Sequence, residues 1–226
     1  MEHMLYQALA CTAGDSPYEC DTPAQKKPNE PGRRNRALIL RVAAKSFACK
    51  GFAAATLSEI AELSGLPKAN VNYYFHSKEN LYQQVLDSVA QRYLDAFALL
   101  NPENPPPQAM EQLIRAKLEI IRKQPWAARV FVTEMMHGAR RLPAAHAIRL
   151  QNAIEQGVAC LEQWMAHGQL VAVDARHLLI SVWATTQAYA NAGAHLRAEK
   201  RTRRNEEHQE AVAHITRLVL RGVLAG

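Results

Sequence analysis

Apolar residues return every three to four positions along most of the chain from Arg34 onward, the spacing of helices that bury one face. No stretch alternates apolar and polar residues as a half-buried strand does. Ile39, Leu40, Ala43, Ala44 and Phe47 share one side of a first helix, Arg34, Arg41 and Lys45 the other, and Gly51 stops it. Thr56-Leu57-Ser58-Glu59 has the form of a capping box, in which Thr56 accepts from the Glu59 N–H while Glu59 reaches back to the cap. The second helix that it opens buries Leu57, Ile60, Ala61 and Leu63. It ends at Ser64-Gly65, where glycine takes the left-handed conformation. Pro67 suits the first turn of a short third helix, because its missing N–H has no helical partner there. Ser77 then caps a long fourth helix striped by Leu81, Val85, Val89, Tyr93, Phe97 and Leu100.

The same period continues after the proline-rich break at 101–107. Met110, Leu113, Ile114, Leu118 and Ile121 mark a fifth helix, and Gln124-Pro125 opens a sixth through Val130, Phe131 and Met135 to Gly138. After Leu142-Pro143 a seventh carries Ala147, Ile154, Val158, Leu161 and Met165 to Gly168. Asp174 caps an eighth running toward Arg197, and Asn205 begins a ninth with Val212, Ile215, Leu218, Val219 and Val223. The pattern therefore predicts an all-α chain of about nine helices. It divides into an extension at 1–32, a small three-helix unit at 33–82 and a larger helical domain at 83–226.

Composition changes this picture only in detail. The 226 residues, 48% hydrophobic and 21% charged, suit a folded protein rather than a disordered one. The charge matters for where it lies: residues 33–78 carry eight basic and two acidic side chains, whereas residues 1–32 carry two basic and five acidic ones, against a net +6 for the chain. With four prolines and little periodicity, residues 1–32 read as an extension without fixed structure. Cys11, Cys20, Cys49 and Cys160 form no CxxC pair or Cys/His clamp, so neither a metal site nor a cofactor is expected, and a reducing cytoplasm is the simplest setting. Met4 to Ala10 lacks the basic leader of a signal peptide, and the apolar run from Leu178 to Ala194 is broken by Ser181, Thr185, Thr186, Gln187 and Asn191, so no membrane span is expected.

A capped helix, a glycine turn and a short helix carrying Lys68, Asn70, Asn72, Tyr73 and Tyr74 make a helix-turn-helix. Major-groove reading needs a slim helix with short amides or hydroxyls for base edges and cationic or phenolic groups for phosphates. Lys68, Asn70, Asn72 and Tyr73 stand at the right positions. The helix starts at Thr56 and at Ser77-Lys78 offer N–H groups to phosphate, and the arm Arg33-Arg34-Asn35-Arg36 can follow the backbone or enter a minor groove.

Residues 35–82 resemble the DNA-binding domain of TetR-family transcriptional regulators. The resemblance is carried by Gly51-Phe52, Thr56, Ile60-Ala61, Gly65-Leu66 and the run Tyr73-Tyr74-Phe75-His76-Ser77-Lys78-Glu79-Asn80-Leu81-Tyr82. Many relatives place a phosphate-binding tyrosine where this chain has Asn72. The resemblance therefore implies phosphate contacts for Tyr74 and Lys78, and leaves Asn72 to a base. Arg34, Arg36 and Thr56 complete the expected DNA set.

In the larger domain no G-x-S-x-G elbow, phosphate loop or dinucleotide fingerprint is present and the histidines are scattered, so no enzyme is expected. Leu179, Trp183, Gln187 and Asn191 stack at i, i+4, i+8 and i+12, an aromatic surface beside amides. That stripe either recognises a flat polar molecule or packs, with Gln187 bonded to a neighbouring backbone group. Residues 110–190 are similar to the effector domain of the pyrimidine-utilisation regulators within the TetR family, through Lys117-Leu118-Glu119, Glu134-Met135, Gly168-Gln169-Leu170 and Trp183 to Tyr189. In that group the positions of Trp183 and Gln187 contact a uracil-like ring, while Tyr93 stands in place of a tryptophan. The resemblance implies a planar amide-bearing effector held by Tyr93, Phe131, Met135, Trp183 and Gln187. It also implies a homodimer formed through the last two helices, with Val182, Thr186, Tyr189 and Gly193 on one face. The expected protein is a repressor released from a partly palindromic operator by its effector. A ligand-insensitive architectural DNA binder shares the basic reading unit, and an all-helical enzyme would need a convergent acid, base or metal set.

Overall fold

The computed structural model describes residues 30–191 and 204–224. The expected extension falls largely on residues 1–29, outside the described residues, as do Gly193 and the far end of the eighth helix. Among the described residues there are nine helices: α1 (Glu30–Ala54), α2 (Leu57–Ser64), α3 (Lys68–Phe75), α4 (Lys78–Phe97), α5 (Pro106–Lys123), α6 (Pro125–Met136), α7 (Ala144–Ala166), α8 (Ala175–Asn191) and α9 (Arg204–Val223). One isolated bridge, between Leu170 and Leu224, is the β pairing found there.

The local signals act as their chemistry requires. Thr56 accepts from the Glu59 N–H at 3.2 Å and Ser77 from the Asn80 N–H at 3.1 Å. Asp174 Oδ1 accepts from the His177 N–H at 2.8 Å at the start of α8. The capping box at Thr56 has a different return half: the Glu59 carboxylate binds Lys50 Nζ at 2.8 Å, tying α2 to the end of α1. Gly51 breaks the regular course of α1 at φ 77°, and Gly65 closes α2 at φ 64°.

Three expectations need correction. Residues 33–36 are not an arm, because α1 begins at Glu30 and takes them into its first turns. Leu63 does not face the core: it is 60% exposed, since the α2 stripe of Ile60 and Ala61 already fills the contact with α1 and α3. Val182 and Thr186 are not open to a partner, because both are buried within the chain where α8 packs on α5, α6, α7 and α9. On α8 and α9 the exposed large apolar side chains are Tyr189 and Leu218.

One continuous core runs from Ile39 to Val223, with no apolar gap between the small unit and the larger domain. The α1 helix packs on α2 and α4 and also on α6, so the three-helix unit is seated directly on the larger domain. The α4 helix packs on α1, α3, α5, α6 and α7 and is shared by both.

Gly65→Ala should cost about 1–2 kcal/mol, since a Cβ at this positive φ is strained although no atom lies within 4 Å of it. Urea denaturation of the variant beside the wild type measures that loss.

Candidate functional site

The third helix turns one face to the core and the other to solvent. Val71 and Phe75 hold it to the core, which turns Lys68, Asn72 and Tyr73 outward, with Tyr73 76% exposed. Asn70 and Tyr74 are half-buried at the margins. Tyr73 and Tyr74 meet edge to face at 5.2 Å, so Tyr74 supports the exposed ring from behind. Thr56 is exposed at the start of α2, and Arg34 projects from α1 with a loose pairing to Glu30 at 3.3 Å.

Two of the expected DNA residues are engaged elsewhere. Lys78 Nζ donates to the carbonyl oxygens of Phe52 at 2.8 Å, Ala53 at 3.2 Å and Ala55 at 3.1 Å, and lies 4.5 Å from the centre of the Phe52 ring. An ammonium has three donors, and all three are spent on the end of α1. Arg36 donates to Gln84 Oε1 at 2.5 Å and sits over the Phe75 ring, which fastens α1 to α3 and α4. Both are structural clamps in this geometry, which turns the Lys78 ammonium away from a phosphate.

Behind Lys78 lies the junction with the larger domain. Phe47, Phe52 and Tyr82 form a cluster, with Tyr82 edge-on to Phe47 at 4.9 Å and to Phe52 at 5.0 Å. The Tyr82 hydroxyl donates to Glu134 Oε2 at 2.9 Å, and the Arg141 N–H donates to Glu134 Oε1 at 2.7 Å. The Arg141 guanidinium covers the Phe52 ring at 4.2 Å and faces Glu79 at 3.7 Å. Burial and the Glu134 carboxylate push the Tyr82 phenol well above its ordinary value, so it stays a donor.

Of the expected effector residues, Tyr93 of α4 and Phe131 of α6 are in direct contact, while Trp183 and Gln187 lie on α8. Tyr93 is buried and stacks on Phe131 with ring centres 4.8 Å apart. Met135 is half-buried one turn further along α6, and Trp183 and Gln187 are half-buried and buried on α8, which packs on α5 and α6. The Gln187 Nε2 amide and the Tyr93 hydroxyl are both buried without a hydrogen-bond partner. Packing alone therefore does not satisfy the Gln187 amide, the alternative that its spacing left open.

Lys117 of α5 was not among the expected residues. It is 3% exposed, and its Nζ lies 5.3 Å from the Tyr93 ring centre and 5.6 Å from that of Phe97. Burial pulls its ammonium down from 10.5 to about 8. Its signal was present in the period: Met110, Leu113, Ile114, Lys117, Leu118 and Ile121 share one stripe, with a lysine inside it. Glu134 stands likewise among Ala127, Val130 and Phe131. Among the described residues no group of three or more His, Cys, Asp or Glu is placed to hold a metal.

A capped helix, a glycine turn and a short exposed helix seated on a larger helical domain have the form of a helix-turn-helix protein. Residues 39–85 match the family of bacterial regulatory proteins described as tetR, and residues 86–226 match the YcdC-like C-terminal region. The chain is 33% identical to the HTH-type transcriptional regulator RutR of Escherichia coli strain K12 over 200 residues, which covers 85% of this chain and 94% of that protein. Its fold is similar to that of the ketosteroid transcriptional regulator KstR2 of Mycobacterium tuberculosis, with TM-score 0.66 and 21% identity, covering 88% of this chain and 98% of that one. It is also similar to AibR in complex with isovaleryl coenzyme A and operator DNA, with TM-score 0.63 and 14% identity, covering 81% and 97%. The chain belongs to the TetR family of DNA-binding transcriptional regulators.

Two outcomes follow from the lysines. Lys78→Ala should lose about 1.5–3 kcal/mol of stability in denaturation, whereas Lys68→Ala should leave stability unchanged and reduce the salt slope of DNA binding by about 0.9. For Lys117 the lowered value means that the unfolded chain holds a proton the folded chain has released between pH 8 and 10.5. Folded stability should therefore rise relative to Lys117→Met as pH increases through this interval, and urea titrations at stepped pH would show it.

Proposed function

We propose that the protein is a homodimeric repressor that grips a partly palindromic operator when empty and releases it when a small planar effector enters between α4, α5, α6 and α8. The observation that carries this reading is a pair of buried, unpartnered polar atoms, Tyr93 Oη, whose ring stacks on Phe131, and Gln187 Nε2 on α8. Native cores satisfy nearly all such groups, and a ligand with carbonyl oxygens would answer both donors.

The reading helix contributes Lys68, Asn70, Asn72, Tyr73 and Tyr74, with Thr56 and Arg34 at its flanks. Two copies must meet successive major grooves about 34 Å apart, which makes the target two-fold. Tyr189 and Leu218, exposed on α8 and α9, supply apolar surface for the dimer. Work on an operator sets the protein in the cytoplasm, and neither a catalytic role nor a cofactor is part of the reading. No helix among the described residues is long and apolar enough to cross a membrane.

Release requires a difference in affinity. Moving the DNA-competent population from 99:1 to 1:99 takes about 5.5 kcal/mol of ligand preference for the released form. An architectural binder would show little sequence discrimination and no ligand response.

Selection from a random duplex pool, with and without a panel of planar metabolites, tests the proposal; absence of a preferred duplex overturns it. Asn70→Ala should relax base preference at about one position, at a cost of about 1–3 kcal/mol on the preferred site. Trp183→Ala should remove the effector response and spare operator binding; a folded variant with normal response would take Trp183 out of the pocket.

A further inference from the structure

Three donor groups on α4, α5 and α8 have no acceptor among the described residues, and two of them, on Tyr93 and Lys117, lie side by side. Tyr93 Oη and Gln187 Nε2 are buried without hydrogen bonds. The Lys117 side chain, 3% exposed, makes no hydrogen bond or ion pair among the described residues, and its Nζ lies 5.3 Å from the Tyr93 ring centre and 5.6 Å from that of Phe97. Ring faces attract a cation weakly compared with a carboxylate or an ionised ring. An unpaired buried cation is costly, and it is retained where something else completes it. With its ammonium at about 8, Lys117 still carries its proton at neutral pH.

A neutral carbonyl-bearing ring would satisfy the tyrosine and the glutamine but would leave the lysine without a counter-charge. We propose that the effector is a planar, carbonyl-bearing heterocycle that is anionic at neutral pH, its negative group on Lys117 Nζ and its ring beside the Tyr93 and Phe131 pair. This rests on the reading of the α4, α5, α6 and α8 pocket as the effector site and narrows its ligand by charge. The rings of Tyr93, Phe97 and Phe131 make the surroundings of Lys117 Nζ aromatic, which suits a flat body better than a small inorganic anion. The negative group is either an exocyclic carboxylate or the ring itself, and the chemistry at Lys117 is the same for both.

The test is calorimetric titration of the full-length protein at pH 7 with uracil, which is neutral, barbiturate, whose ring is ionised, and orotate, which bears a carboxylate. Binding of barbiturate or orotate at least about tenfold tighter than uracil is expected, and which of the two gains identifies the source of the charge. Lys117→Met should bring that anion to the level of uracil or below while the variant stays folded by circular dichroism. Should the methionine variant not fold, Lys117→Arg is the second variant. It keeps the charge and should keep a preference for the anion, and the wild-type ratio is decided without either variant. Uracil binding as tightly as both anions, or an anion advantage that survives in Lys117→Met, overturns the charge assignment and leaves the planar-effector reading in place. Failure of all three rings to bind the wild type, with no effect on operator binding, overturns both.

Discussion

The carboxylate of Glu134 sets the position of the reading unit on the rest of the molecule. It is 4% exposed, and a buried carboxylate must have its oxygens answered. One answer comes from the Tyr82 hydroxyl of α4 and the other from the Arg141 N–H in the loop after α6. That loop turns sharply enough to bring Arg141 back because Gly138 and Ala139 both adopt positive φ, at 89° and 53°. The same Arg141 then spreads its guanidinium over Phe52, whose carbonyl is held by Lys78. Each of these contacts places a group that the next one needs. Removing one partner would leave a buried acceptor unsatisfied at about 1–3 kcal/mol, more if charged.

This junction explains why the small unit does not behave as a separate bead. Its core is continuous with that of the larger domain, and α1 packs on α6 as well as on α2 and α4. The basic residues of 33–78 are consequently of two kinds. Lys68 and Arg34 project outward, while Lys78 and Arg36 turn inward and hold helices together. A charge count cannot distinguish them.

What was legible in the sequence was local. The Thr56, Ser77 and Asp174 caps act within three residues, and the Gly51 and Gly65 breaks act at a single residue. The buried faces of α4 and α5 follow from period alone. The roles that the sequence did not disclose belong to long side chains with distant partners. Lys78 reaches back 26 residues to Phe52, Arg36 forward 48 to Gln84, and Tyr82 forward 52 to Glu134. No spacing rule connects such pairs, since they meet only once the helices have packed. Lys117 and Glu134 lie between these cases: the period marked them as charges inside apolar stripes, and only the packed structure shows that Glu134 is answered by protein and Lys117 is not.

That difference gives the two sites a common mechanical frame. Tyr93 and Tyr82 stand on α4 eleven residues apart, about 16 Å along the helix, and Phe131 and Glu134 stand on α6 less than one turn apart. The Tyr93 stack on Phe131 and the Tyr82 bond to Glu134 therefore join the same two helices. Under the proposed reading, a ligand entering beside the first pair would strain the contact of α4 with α6, and the second pair would respond because a hydrogen bond tolerates little change in length or angle. A loosened Tyr82 disturbs Phe47 and Phe52, and with Phe52 the carbonyl held by Lys78 at the first turn of α4. Helix α3 joins α4 at that same turn, so on the proposed reading a displacement begun at Tyr93 and Phe131 would reach the angle that α3 presents to a duplex.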